Sequence, residues 1–230
     1  MIVFYMLEID SSVRRIKTDT MRVLEQKVLR VKIPNFKPRT LKKASKVLYG
    51  KRVIVDDECD EEPLLKYGIT PIIPLRLYSY LAGEIYLKTL KKFEISPEKT
   101  SVAIFCGGLA NFTRYGLEKI IKNAGYLSIS SRDSSAFSEY VMEEYGISVT
   151  QSTKNADISV FIYEKEFSLQ YRQKNVCYIL SDTKIVTDKN VGDIPKTHLK
   201  SVCLALVESG SISPEDLVVN ELIFKEEKLT

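Results

Sequence analysis

A short apolar run, Ser101-Val-Ala-Ile-Phe-Cys106, breaks into Gly107-Gly108 and then continues with helical periodicity. A strand, a glycine-containing turn and a helix start, in that order, aim backbone N–H groups and the positive end of a helix at one point, which is the geometry of an anion cradle. The stretch from Ser101 to Tyr163 therefore reads as the opening of an α/β unit. The glycine pattern is degenerate, so these residues constrain the fold more tightly than the function.

The chain has 230 residues, 44% of them hydrophobic, enough for one large core or two modest ones. Cys59, Cys106, Cys177 and Cys203 are far apart, with no C-x-x-C pair, which argues against a zinc knuckle or a disulfide framework. Reduced thiols and a cytoplasmic location are expected. The N-terminal run Met1 to Leu7 lacks a basic start, and no apolar run approaches the roughly 20 residues that span a bilayer. No membrane partner is expected, and a homo-oligomer is left open. Charge is uneven: residues 1–100 carry a balance of +7 and residues 101–230 one of −3. Residues 14–52 hold 14 basic side chains against Asp19 and Glu25, a pattern that would attract a phosphorylated ligand or nucleic acid. Nucleic acid is disfavoured, because Phe36 is the only aromatic residue there before Tyr49, and a solvated basic face accounts for the charges.

Val28 to Ile33 alternates as a half-buried strand. A helix is expected over Pro38–Leu48, with Leu41, Ala44, Val47 and Leu48 on one stripe, followed by a strand over Lys51–Asp56. A short helix ending at Tyr67-Gly68 and an extended piece, Ile69–Ile73, come next. In Leu75–Phe93, Tyr78, Leu81, Ala82, Ile85, Tyr86, Leu90 and Phe93 recur at three and four, which predicts a long helix able to link two domains. Turn chemistry at Ser96-Pro97-Glu98 puts the boundary there, giving an N-terminal α/β lobe over 1–95, including linking helix 75–93, and a second domain over 96–230. Beyond it, helices are expected over Phe112–Ala124 and Ser134–Tyr145, the latter with core stripe Ala136, Phe137, Tyr140 and Val141. Strands are expected over Tyr126–Ser131, Ile147–Thr150, Asp157–Tyr163, Val176–Leu180 and Leu217–Phe224, with a last helix through Leu199 and Leu206. Strands separated by helix-length segments favour parallel pairing, and hence a doubly wound open sheet with helices on both faces.

A dinucleotide fingerprint needs a tight-turn Gly, a Gly where the backbone meets pyrophosphate, and a Gly or Ala for helix packing. Cys106, Gly108 and Asn111 occupy those places. Gly107, Gly108, Asn111 and Thr113 nevertheless supply N–H, amide and hydroxyl donors for a phosphate, with Arg114 adding charge; an ordinary capped strand-to-helix turn is the competing reading. After the next strand, Ser130-Ser131-Arg132-Asp133 places an Arg where a ribose 2′-phosphate would be met, which points to NADP over NAD if either binds. The other reading has Asp133 or Ser134 capping the next helix and Arg132 in water. The long helix, Val102-Ala-Ile-Phe-Cys-Gly-Gly, and Ser128-Ile-Ser-Ser-Arg-Asp133 followed by Tyr145-Gly-Ile-Ser-Val together resemble the Rossmann-type NAD(P)-binding domain of the shikimate dehydrogenase and glutamyl-tRNA reductase families. The resemblance covers residues 75–163 and implies an α/β substrate domain before the connecting helix. The catalytic residues of those families have no counterpart that can be placed here, so no catalytic residue is assigned.

The acidic run Asp56 to Glu62 follows a strand, where ligands and Mg²⁺ sit in α/β proteins, but it reads first as a solvated turn, and no metal site is assigned. His198, the only histidine, reads as a surface residue, and Cys106 as a buried small apolar one. Asp182, Asp188 and Asp193 are turn formers that could line the same crevice. The expectation is an N-terminal α/β lobe, a linking helix and a C-terminal doubly wound Rossmann-like sheet. It would bind a small phosphate-bearing ligand, with NADP or no cofactor as alternatives. An NADP-dependent oxidoreductase and a non-catalytic interaction or regulatory protein remain open.

Overall fold

The computed structural model describes residues 4–72, 74–106, 111–150, 152, 156–161, 177–178, 184–187 and 194–221. The chain forms two compact units, residues 1–74 with 187–217, and residues 75–186 with 218–230. In the first unit β1 (Phe4–Ile9), β2 (Lys17–Val23), β3 (Gln26–Ile33), β4 (Arg52–Ile54) and β5 (Thr70–Pro71) form one sheet in the order β2-β3-β1-β4-β5. All neighbours are parallel except the β2–β3 hairpin. Helix α1 (Pro38–Leu48) returns the chain from β3 to β4, on the far side of β1, with proline in its first turn where the missing N–H is harmless. Leu41, Ala44 and Leu48 of α1 and Leu64 of α2 (Glu62–Leu65) pack on Leu7, Val31, Ile33 and Val53, whereas Val47 is 38% exposed and outside the stripe expected for it.

In the second unit α3 (Leu75–Lys92) precedes β6 (Ser101–Phe105), α4 (Asn111–Asn123), β7 (Tyr126–Ser130), α5 (Ser134–Tyr145), β8 (Ile158–Phe161) and β9 (Cys177–Tyr178). Every pair in the sheet β7-β6-β8-β9 is parallel. The strand expected over Ile147–Thr150 is reduced to one parallel bridge, Thr150 to Ser128, on the edge of β7 away from β6. With that bridge the order becomes that of a dinucleotide-binding sheet: third element, β7, β6, β8, β9. Val102 to Phe105 is buried on both faces, as expected for a central parallel strand, which reads as a continuous apolar run. Val102, Ile104 and Cys106 meet Ala82, Tyr86 and Leu90 of α3, Leu117 and Ile120 of α4, and Phe137 and Val141 of α5. On the opposite face Ala103 and Phe105 pack with Ala156. Within the expected stripes, Ala136 and Phe93 are exposed. Strand β10 (Lys184–Thr187) pairs with β11 (Leu217–Glu221) in a separate two-stranded sheet, and α6 (Leu199–Glu208) precedes it.

The boundary expected at Ser96 falls instead at Pro74. The reason is packing. Apolar residues of α3 belong to the core of β6, so the linking helix is part of the second unit, while residues 194–217 are hydrogen-bonded to the first. The α3–α4 contact is unusually close, since a Cβ on Gly116 would come within 1.7 Å of the Ser79 carbonyl oxygen. Gly116→Ala must therefore push the helices apart, at a cost of about 1–3 kcal/mol or more. At Gly146, where φ is +67° and a Cβ meets open space, the Ala substitution costs only the left-handed backbone term, about 1 kcal/mol. Urea-unfolding midpoints of the two variants check this. Equal shifts, or a larger one at Gly146, would contradict the close contact.

Candidate functional site

The order of the second sheet reverses between β6 and β8, and ligands of open α/β sheets bind outside the carboxyl ends of the strands at such a point. β6 ends at Phe105, in register with Ser130 at the end of β7, and the Cys106 N–H donates to the Ser130 carbonyl at 3.1 Å. The turns after both strands therefore leave the same edge. Gly107 and Gly108 lie outside the described residues, and so do Asp182, Asp188 and Asp193. Asn111 and Thr113 fall in the first turn of α4, whose backbone alone is described there. That turn holds no acidic residue, so no carboxylate of its own opposes an anion at the helix start. Arg132 is exposed in the turn after β7. Asp133 occupies the N-cap of α5, but its side chain makes no capping bond, and the Asp133 N–H instead donates to Ser131 Oγ at 3.3 Å. The Arg114 guanidinium lies 4.9 Å over the Tyr140 ring, a cation–π contact that ties α4 to α5. Its charge is thus directed at α5. Cys106 is buried in the core, as its sequence context indicated.

The first sheet has a reversal of its own, between β1 and β4, because α1 carries the chain across β1. A crevice of about 390 Å³ opens there, lined by Glu8 and Ile9 of β1, Phe36, Val55 and Asp56 beyond β4, Cys59, and Thr197 and His198. Sequence reasoning placed Asp56 at a sheet edge but missed the crevice, because part of its lining comes from Pro195, Thr197 and His198, far away in the chain. His198 is only 3% exposed, not a surface residue. Its Nε2 lies 3.0 Å from the Leu7 carbonyl oxygen and its Nδ1 3.0 Å from Thr197 Oγ1. A carbonyl can only accept, so Nε2 carries the proton, and in the neutral ring Nδ1 accepts from the Thr197 hydroxyl.

Asp57, read from the sequence as part of a solvated turn, has a specific task. Its carboxylate oxygens accept the Lys200 and Ser201 N–H groups at 3.0 and 2.8 Å, and its own N–H donates to the Thr197 carbonyl at 2.6 Å. It caps the start of α6 from 143 residues away. Two other acids of the run form local turns: Asp56 Oδ1 accepts from the Glu58 N–H and Asp60 Oδ1 from the Glu62 N–H. Burial pushes the Cys59 thiol up to about 11, and the Asp56 and Asp60 carboxylates add to the effect, so at neutral pH it remains a thiol and a poor nucleophile. Cys203, buried near Asp57, is pushed up to about 12. Among the described residues no group of three His, Cys, Asp or Glu side chains could hold a metal ion.

No family model and no curated protein matches this chain. Among solved structures, the crystal structure of L-tryptophan dehydrogenase from Nostoc punctiforme is similar to it at 15% identity with a TM-score of 0.31. The match covers 58% of this chain and 44% of that one, so this chain aligns with less than half of that protein. No helix among the described residues is long and apolar enough to cross a membrane.

Desolvation holds the Asp57 carboxyl above its ordinary value of 3.8, against the lowering effect of its backbone hydrogen bonds. The native state then keeps this proton to higher pH than the unfolded chain does. The stability so contributed is present below 3.8 and is lost as pH rises through the raised value. Asp57→Asn removes that dependence and leaves one α6 N–H without an acceptor, a pH-independent cost of about 1 kcal/mol. Urea unfolding of both proteins at a series of pH values should show wild type losing ground to the variant over that interval. A difference that grows with pH would refute the assignment.

Proposed function

We propose that the second unit binds a phosphate-bearing ligand, a nicotinamide nucleotide above all, at the turn containing Gly107 and Gly108. The observation that carries this reading is the order of that sheet, with β6 at its centre and the reversal at the carboxyl ends of β6 and β8. In such sheets the pyrophosphate meets the N–H groups at the start of the helix after the central strand, here α4. Gly107 and Gly108 would allow close backbone approach, Asn111 and Thr113 would donate to the phosphates, and Arg132 would pair with a ribose 2′-phosphate. A bound nicotinamide would supply hydride transfer, which makes the chain an NADP-dependent oxidoreductase of the kind suggested by the resemblance to shikimate dehydrogenase and glutamyl-tRNA reductase. The free thiols of Cys59, Cys106 and Cys203 fit a reducing compartment and hence a cytoplasmic protein.

A second reading rests on a specific departure. Cys106 stands where the fingerprint wants its first glycine and is buried in the core, which fits a sheet kept as a scaffold for interaction or regulation after cofactor binding was lost. Nucleic-acid binding is not proposed. Within the basic segment Arg30 pairs with Asp19 at 2.7 Å, Lys32 with Asp10 at 3.4 Å, and Arg52 with Glu208, so part of that charge is matched within the first unit.

Thermal denaturation with and without NADP(H) separates the two readings. Ligand at 100 times its dissociation constant should stabilise the protein by about 2.7 kcal/mol. Arg132→Asp should weaken NADP more than NAD. An unshifted melting curve with either nucleotide favours the scaffold, and equal loss for both removes the role of Arg132.

A further inference from the structure

Two helices of this chain expose charge of a single sign, and the signs are opposite. Helix α1 carries Arg39, Lys42, Lys43 and Lys46, all exposed, and the sequence has no Asp or Glu anywhere from Gln26 to Val55. Helix α5 carries Glu139, Glu143 and Glu144, all exposed, and no Lys or Arg. Residues three and four apart are neighbours on a helix, so Arg39 lies beside Lys43, Lys42 beside Lys46 and Glu139 beside Glu143. Like-charge pairs at that spacing destabilise the helix that holds them.

Elsewhere the chain matches its charges. Glu62 pairs with Lys66 on α2 and Glu118 with Lys122 on α4, and Glu84 of α3 meets Lys119 of α4. In the first sheet Arg30 and Lys32 are met by Glu8, Asp10 and Asp19. Among the described residues, none of the charges named on α1 or α5 forms an ion pair. Each of these faces also exposes an apolar side chain: Val47, one turn after Lys43, is 38% exposed, and Met142, between Glu139 and Glu143, is 47% exposed. A polyanion or an anionic lipid surface would satisfy α1 and leave α5 unmatched, and a cationic partner would do the reverse. A second copy of this chain satisfies both.

We propose that the chain associates with itself, the α1 face of one copy docking on the α5 face of another, with Val47 and Met142 in contact among the paired charges. Every copy offers both faces, so the contact needs no other protein. Exposed ion pairs are individually weak and screened by salt, so the association is reversible and falls with ionic strength. This goes beyond the nucleotide reading and does not rest on it, because no ligand takes part.

Sedimentation equilibrium of the full chain tests the contact. At low salt the average mass should rise above the 26.2 kDa of one copy as concentration increases, and return to it at high salt. Reversing α1, with Lys42, Lys43 and Lys46 each changed to Glu, leaves both helices acidic; reversing α5, with Glu139, Glu143 and Glu144 each changed to Lys, leaves both basic. Either variant alone should associate at least about tenfold more weakly than wild type, since like charges then meet. Mixed in equal amounts the two should recover association, because each offers the face that the other lacks. An equal change of charge elsewhere, with Arg14, Arg15 and Lys17 each changed to Glu, should leave association as in wild type. The mass of one copy at every concentration overturns the proposal, as does a mixture that fails to recover, or an equal loss in the Arg14, Arg15 and Lys17 variant. A wild type that stays monomeric but sediments with phosphatidylserine vesicles through Lys42, Lys43 and Lys46 would assign α1 to a lipid surface instead. Stabilisation by NADP(H) is read separately by melting, so failure of one idea is distinguishable from failure of the other.

Discussion

Parallel pairing is the constraint on which the rest of this structure depends. A strand that must lie beside another pointing the same way cannot turn back in two residues, so it is followed by a crossover, usually a helix. Every crossover leaves from the carboxyl edge of its sheet, and all the irregular backbone that can meet a ligand collects there. Where the order of strands reverses, crossovers depart to opposite sides and leave a gap. This chain has two such reversals, one between β6 and β8 and one between β1 and β4. Beside the first lies a helix start without acids, and the second is lined by carboxylates.

The gap at the second reversal has its shape because residues 194–208 return to the first unit. Among the contacts that hold them there are the Asp57 carboxylate at the start of α6, the Asp57 N–H on the Thr197 carbonyl, and the His198 ring on the Leu7 carbonyl. Each pairs groups that would otherwise be costly to bury, namely helix N–H groups, an imidazole and a strand carbonyl. Behind them α6 packs against β4, buried from Ser201 to Val207. The same residues that secure the late segment also finish one wall of the crevice.

Much of the local structure was legible. Helix α5 occupies the predicted Ser134–Tyr145, and α1 the predicted Pro38–Leu48, because each carries its own start signal and an apolar stripe of the right period. Strand β6 was legible from its short apolar run, and its central position came only with the strand order. The β2–β3 hairpin was not legible. Its turn lies at Leu24-Glu25, and Leu24 takes a positive φ of 53° where the usual signal is Gly, Asn or Asp. Strand β2 also carries four exposed residues in a row, so it lacks the alternation that marks a strand. At the candidate sites, Arg132 could be placed beyond β7 from order alone, whereas the turn of Arg114 toward Tyr140 required the position of a neighbouring helix.

The amino-acid sequence by itself determined which segments are helices and strands and that most strands pair in parallel, because period, caps and crossover lengths are local properties. Only the tertiary structure decided that α3 belongs with β6, that His198 is buried, and that an acidic run caps a helix and lines a crevice. Those outcomes depend on partners far apart in the chain, 143 residues between Asp57 and Lys200 and 191 between Leu7 and His198. No periodicity records such a pairing. It is set by which buried polar groups and apolar faces meet when both sheets have formed.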